Sequence, residues 1–324
     1  MKITIFNLFD IRRIVFKEDS MEITAVVVAR KGSVRIKSKS MLELGGQSLI
    51  ERKILQLRAT KQIHRVVFGS DCEQMRSIAR GAGAEVVERG AYFCDESRAS
   101  ANEMIGEMMS LICTDVVVWA HCTNPLISAP TYDTAISAFL SNIPRYDSLC
   151  SVVELREHLW RGDKHTPLNY NPYALRHTPA KALPPLYMQD GGIFIQPYAQ
   201  MKANSYFFGK KPYLFEIPKE EFLDINEMRD YLLARAIVES YAANAMQERD
   251  SRDTHDERIE SSVANDIAES KKSQNDGKSA LGGGANRYSL FSCLKDIYPA
   301  NSCLKTRSTL GNPLALVAPT KKAA

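Results

Sequence analysis

From Ile23 onward, short β-branched runs alternate with stretches whose apolar residues recur at three- and four-residue intervals. The apolar runs read as strands over Ile23–Val28, Arg65–Phe68, Glu85–Val87, Asp115–Trp119, Ser148–Glu154, Gly192–Ile195 and Pro212–Ile217. Between them, Ser48–Thr60 carries Leu49, Ile50, Ile54, Leu55 and Leu57 on a helical period, and Asp71–Gly81 opens on an acidic N-cap candidate and stops at a glycine. Residues 97–112 and 128–140 give two more helices, and Asn226–Met246 the longest. Strands alternating with crossover helices predict an α/β fold: a doubly wound, mostly parallel sheet with its ligand crevice at the carboxyl ends of the strands.

Two regions break this rhythm. Residues 156–189 space five prolines among His158, His165, His177, Arg176 and Lys181, which predicts an inserted lid rather than a core element. After Met246 the composition turns to Ser, Asp, Glu, Lys and Asn, so residues 247–324 read as a low-complexity, disordered tail with a short ordered piece near Tyr288–Leu294. Residues 1–20 mix apolar and charged positions and read as an extension before Met21. The expected domain is therefore 21–246.

The 324 residues are 44% hydrophobic, enough for a sizeable core, and the net charge of +4 is too small to argue for nucleic-acid or membrane binding. No run approaches the ~18 apolar residues of a membrane span. The seven cysteines form no C-x-x-C pair, so a reduced, cytoplasmic protein without a zinc site is expected.

What matters is where the charge sits. Directly after the first strand comes Ala29-Arg30-Lys31-Gly32-Ser33-Val34-Arg35-Ile36-Lys37-Ser38-Lys39, with five cations, a glycine and a short hydroxyl. A nucleoside triphosphate carries roughly four negative charges, and a helix N-terminus offers only about 0.3–1 kcal/mol per charge, so arginine and lysine are needed as well. The loop is neither a Walker A loop nor a G-x-G-x-x-G turn. A nucleic-acid arm would need a longer basic run with interleaved aromatic residues.

This loop resembles the A-R-x-G-S-x-R-x-x-x-K signature of the cytidylyltransferases that make CMP-sialic acids, with Arg30, Gly32, Ser33, Arg35 and Lys39 matching. Further stations follow in order: Leu44-Gly45-Gly46-Gln47-Ser48-Leu49-Ile50, Gly69-Ser70-Asp71, Arg89 with Asp95-Glu96-Ser97, His121-Cys122-Thr123-Asn124-Pro125-Leu126, Asp190-Gly191-Gly192-Ile193-Phe194, and Leu223-Asp224-Ile225-Asn226. The resemblance covers about residues 23–240.

It implies a nucleotidyltransferase of the GT-A-like Rossmann type that activates an acidic nonulosonic sugar with CTP, for surface glycan biosynthesis. By resemblance, Arg30, Ser33 and Lys39 hold the phosphates beside Gly32, with Arg35 as a further cation. Arg89 and the segment ending at Ser97 read cytosine, and Thr123 lies near the ribose or reacting phosphate. His121, Asp190 and Gly191 face the sugar. Arg30, Lys39 and Asp224 are the catalytic set, and Asp224 with Asn226 binds Mg2+. As a free-standing motif, the same D-x-N reads as an N-cap, Asn226 capping the last helix. Family members are commonly dimers through an inserted segment, which makes residues 156–189 the expected dimer contact.

The chain departs from the pattern at Val34, Ser40, His121 and Asn226. Two rival readings follow: a synthetase for the eight-carbon acid Kdo, whose Q-G-D-x-P aspartate is Thr123 here, and a nucleotide-binding protein without turnover.

Overall fold

A computed structural model describes residues 21–33, 35–244 and 247. The expectations for residues 1–20 and for the tail beyond 247 lie outside the described residues. The chain divides into a unit ending at Val238 and a second beginning at Glu239; within the second, residues 239–244 are helical.

The first unit is built on a seven-stranded mixed sheet: β1 (Ile23–Val28), β2 (Arg65–Ser70), β3 (Glu85–Glu88), β4 (Val116–Ala120), β5 (Ser148–Leu155), β6 (Leu186–Pro197) and β7 (Pro212–Glu216). Its spatial order is β7-β5-β6-β4-β1-β2-β3, the doubly wound arrangement expected. All neighbours run parallel except β6, which is antiparallel to both β4 and β5. The helices are α1 (Leu49–Arg58), α2 (Glu73–Gly81), α3 (Ala101–Ser110), α4 (Ala129–Asn142) and α5 (Tyr198–Asn204), with α6 beginning at residue 228.

Both faces of the sheet are covered, which is why its central strands are continuous apolar runs rather than alternating ones. Ala25 and Val27 of β1 pack with Leu49, Ile50, Ile54, Met75, Tyr132 and Ile136 from α1, α2 and α4. Val26, one position out of phase, packs with Trp119 and with Ile105, Met108 and Met109 of α3 on the opposite face. Among the described residues no helix is long and apolar enough to cross a membrane.

Helix ends follow side-chain caps that periodicity alone misses. Ser48 Oγ accepts from Glu51 N at 3.1 Å and starts α1. Ser100 and Glu103 form a reciprocal capping box, so α3 starts at Ala101 instead of 97. Asp71 does not cap α2. Its Oδ1 accepts from Lys31 N at 3.1 Å, and Ser70 Oγ takes Cys72 N at 3.1 Å. Nor does the Asn226 side chain cap the last helix: Asp230 Oδ2 reaches back to Asn226 N and Glu227 N at 2.9 and 2.8 Å.

The insertion is shorter than its sequence boundary. Residues 186–189 already belong to β6, where Leu186–Gln189 pairs with Val152–Leu155. Most of these positions are exposed, so the ladder rather than a hydrophobic pattern specifies them. The remainder carries a small hairpin, Trp160–Arg161 against Thr166–Pro167, beside a stacked His158–His177 pair.

Candidate active site

Parallel pairing in register, Val28 opposite Gly69 and Val27 opposite Ala120, brings the loops after β1, β2 and β4 to one sheet edge. The basic loop is pinned to this edge by Ala29 N donating to Gly69 O and by the buried side chain of Ile36. Ser38 adopts a left-handed backbone, φ 54°, and turns the chain into the short 3-10 helix Lys39–Met41. The result is a cleft of about 400 Å3 with Arg30, Ser33, Arg35 and Lys39 on one side, Arg89, Phe93, Ser100 and Met104 on another, and His121 with Thr123 after β4.

Each cation is held differently. Arg30 Nη1 donates to Gly32 O at 2.8 Å, and its Nη2 lies 2.5 Å from Glu96, a carboxylate that also lines the cleft. Lys39 Nζ donates to Ile225 O at 2.7 Å. Its pKa is lowered, mainly by burial, although the nearby Asp224 carboxylate pulls the other way. Arg89 is 2% exposed and pairs through Nε with Glu107 at 2.8 Å, while its Nη2 donates to Phe93 O at 3.2 Å.

Seven of the expected residues thus line one cavity: Arg30, Ser33, Arg35, Lys39, Arg89, His121 and Thr123. Gly32 stands just outside its wall, and a Cβ there would meet only Arg30 Nη1 at 3.7 Å. Ser97 is folded away, its hydroxyl and N–H both on Asp95 Oδ1 at 2.6 and 3.0 Å. Ser100, three positions on, is the serine at the cleft; its signal was the S-x-x-E capping box Ser100–Glu103. Met104 is partly buried and reaches the cleft wall.

His121 is held at both ring nitrogens. Nε2 accepts from Trp119 Nε1 at 3.1 Å, which leaves Nδ1 protonated toward a backbone hydrogen bond at Gly191. Burial lowers its pKa, so the ring is neutral and serves as wall rather than base. Asp190 does not line the cleft. It is 4% exposed, its Oδ2 accepts from Gly192 N at 3.2 Å, and burial raises its pKa. The expected direct sugar contact by Asp190 is therefore corrected to a place behind the wall.

Asp224 and Asn226 sit beside the cleft. Asn226 Nδ2 donates to Asp224 Oδ2 at 2.6 Å, and Ile225 N donates to Thr123 O at 2.9 Å, which fixes the segment against the loop after β4. The Asp224 carboxylate acts electrostatically on Lys39, His121 and Asp190. The partly exposed Asp224 carboxylate fits Mg2+, which takes few protein ligands and fills its shell with phosphate oxygens and water; Asn226 turns its amide nitrogen, not its oxygen, to that carboxylate.

The model of the family described as Cytidylyltransferase matches residues 24–229, the span that contains every element of this cleft. The chain belongs to the cytidylyltransferase family. It is similar to 3-deoxy-manno-octulosonate cytidylyltransferase of Chlorobaculum parvum, 32% identical over 136 residues, which are 42% of this chain and 53% of that protein. The chain thus spans about half the length of the first of these curated relatives. It is also similar to Post-translational flagellin modification protein B of Campylobacter coli, 22% identical over 225 residues, 67% of this chain and 95% of that protein.

Among solved structures, the fold resembles that of CMP:2-keto-3-deoxy-manno-octonic acid synthetase complexed with CTP. The TM-score is 0.50 at 13% identity, over 68% of this chain and 99% of that one. A second, 4-diphosphocytidyl-2C-methyl-D-erythritol synthase from Anaerococcus prevotii, gives a TM-score of 0.52 at 12% identity over 68% and 97%. At these identities the likeness concerns the fold. What these comparisons give for this chain is the cytidylyltransferase family as a whole, not its sialic-acid branch, since the relatives include an octulosonate cytidylyltransferase.

Proposed function

We propose that this chain transfers a cytidylyl group from CTP to an acidic 2-keto sugar and releases pyrophosphate. The observation that carries this reading is the convergence of Arg30, Ser33, Arg35 and Lys39 with Arg89 and Thr123 around a single cleft at the carboxyl ends of the strands. Three cations on one side suit a triphosphate, and Gly32, which no protein atom crowds, leaves room for a phosphate against the backbone.

The sugar's anomeric hydroxyl attacks the α-phosphorus while pyrophosphate leaves in line. Catalysis is positioning and charge neutralisation, with little covalent work for the protein. Arg30, Ser33 and Lys39 hold the phosphates, and Arg35 adds charge at the loop's exposed side. Arg89, fixed by Glu107, presents its guanidinium edge to the base next to Ser100. Lys39, tied to Ile225 O, couples the phosphate loop to the Asp224 segment. Asp224, with Asn226, would hold Mg2+, which supplies further charge neutralisation at the phosphates. His121 offers a neutral ring to the acceptor.

For the acceptor, the octulosonate relatives favour Kdo, whereas Thr123 in place of that branch's aspartate favours the nine-carbon acids of the sialic type. Trp160, Tyr173 and Leu175, exposed on the insertion, provide the surface for the homodimer that the resemblance implies.

The deciding experiment incubates the purified chain with CTP, Mg2+ and each of Kdo, N-acetylneuraminic, legionaminic and pseudaminic acid, and reads pyrophosphate release with UTP as control. Release with one acid and CTP is the expected result. CTP binding without release from any acid would establish a nucleotide-binding protein without turnover, and absence of CTP binding would overturn the site itself.

A further inference from the structure

The loop after β4 brings His121 and Thr123 to the cleft, and it is held from several sides. Ile225 N donates to Thr123 O at 2.9 Å, and Asn124 Nδ2 donates to Asp190 O at 3.0 Å. Ser128 N donates to Glu221 Oε2 at 3.0 Å. Pro125, between them, has no N–H, so its carbonyl is all it offers to hydrogen bonding. Both lone pairs of that oxygen are taken by one helix: Arg52 Nε donates to it at 2.9 Å and Gln56 Nε2 at 2.8 Å.

Arg52 and Gln56 stand four residues apart on α1 and so share one face of it. Each sits there at a cost. Arg52 is 7% exposed, and burial lowers its pKa with no carboxylate among the described residues to offset it. Gln56 keeps its Oε1 buried without a hydrogen-bond partner. A helix face that did no more than fill the core would carry apolar side chains at such positions.

The same helix is tied at its start to the basic loop. Leu49 N, in its first residue, donates to Leu42 O at 3.0 Å, and Leu42 N donates at 3.1 Å to the carbonyl of Lys39, whose side chain lines the cleft. A Cβ on Gly45, in the turn between, would lie 3.9 Å from Arg52 Nη1, so the guanidinium reaches from that turn to Pro125 O.

We propose that Arg52 and Gln56 clamp Pro125 O and thereby set the place of Thr123 and His121 against Lys39, with α1 as the strut between the two loops. Both are positioning residues, since neither is among those that line the cleft. A misplacement of about 1 Å at the reacting groups can cost roughly a hundredfold in rate. That catalytic consequence rests on the cytidylyl transfer proposed above; the clamp itself does not.

The test uses the full chain with Gln56→Met, Arg52→Met and Arg52→Lys. The readouts are amide hydrogen exchange, thermal melting and pyrophosphate release with CTP, Mg2+ and the acid that wild type accepts. In Gln56→Met the lost donor is offset by removal of the unpartnered Oε1, so Tm is expected within about 3 °C of wild type. Protection of the Ile225 and Asn124 amides nonetheless falls about tenfold or more, while that of the β1 amides of Ala25 and Val27 is unchanged. In the same variant kcat falls about tenfold, with KM for CTP within about threefold of wild type. Arg52→Met shows the same local loss together with a lower Tm, and Arg52→Lys, which restores a donor, returns protection and kcat toward wild type. Unchanged protection at Ile225 and Asn124 in Gln56→Met, with losses in Arg52→Met that only follow the β1 amides, would reduce the two residues to core support and overturn the proposal. A released loop with kcat unchanged would overturn its positioning role. Should Arg52→Met not fold, Gln56→Met decides by the same amides. Hydrogen exchange uses neither CTP nor sugar, so a wild type that releases no pyrophosphate defeats the reading above while the clamp is still decided by its own amides.

Discussion

Glu107→Ala isolates a buried ion pair, Arg89–Glu107, that both supports the core and aims a residue into the cleft. Arg89 and Glu107 are 2% and 9% exposed and meet at 2.8 Å, with Glu107 Oε1 also accepting from Gly90 N at 3.0 Å. The Arg89 stem crosses Gly69 so closely that a Cβ there would lie 2.7 Å from Arg89 Cδ, which leaves the guanidinium no path to solvent past β2. Truncating Glu107 therefore leaves a buried cation without its counter-charge, a loss of about 3–5 kcal/mol, or roughly 10 °C in Tm for a domain of this size. CTP affinity, read by titration calorimetry, is expected to fall about tenfold or more as Arg89 loses its orientation. The double variant Arg89→Met/Glu107→Leu should recover most of the stability and none of the CTP binding, because an apolar pair restores packing but supplies no donor to the base. An Ala variant that melts within about 3 °C of wild type would refute the argument. So would a double variant that binds CTP normally.

Three further outcomes follow from the same geometry. Lys53 has a folded pKa of about 7 against an ordinary 10.5, so between those values the unfolded chain holds the proton and the folded one does not. Wild type should therefore gain stability relative to Lys53→Met as pH rises from 7 toward 10, by about 5 kcal/mol in the limit; parallel curves from denaturant titrations would exclude this linkage. Gly192→Ala would drive a methyl group into Ile127 Cδ1 and Asp190 Oδ2, a clash worth about 1–3 kcal/mol that should appear as a lowered Tm. Glu96→Gln frees Arg30 from its carboxylate, and tighter CTP binding is expected, with an advantage that fades as salt is raised; unchanged affinity at low salt would count against Glu96 as a competitor of the phosphates.

The central strands were legible because both faces of the sheet are buried and each strand is a continuous apolar run, as in Ala25-Val26-Val27. β6 was half-missed for the opposite reason: Tyr187, Met188 and Gln189 are exposed, and their strand conformation comes from pairing with β5. The place of the basic loop at the cleft was legible because five cations follow directly on a strand, a position that topology assigns to the ligand edge. Ser97 was named from motif resemblance alone; the Ser100–Glu103 capping box, which fixes where the helix begins, marks Ser100 as the serine at the cleft.

The surroundings of Asp190 were harder to read, and the reason separates two uses of charge. Arg30, Arg35 and Lys39 stand in a loop, so no apolar period surrounds them; Glu96 pairs with Arg30 and Asp224 acts on Lys39, and all three cations line the open cleft. Lys53 occupies the position between Leu49 and Leu57 on the buried stripe of α1, where an amphipathic helix calls for an apolar residue. A charge there is costly: burial pulls the Lys53 pKa down to about 7, and its Nζ donates to Tyr132 Oη at 2.9 Å. Charges that interrupt a loop thus point outward to a ligand, whereas a charge that interrupts a core stripe takes its partner from inside the protein, as Lys53 does from Tyr132. Asp190, 4% exposed and accepting from Gly192 N, stands behind the cleft wall rather than on it.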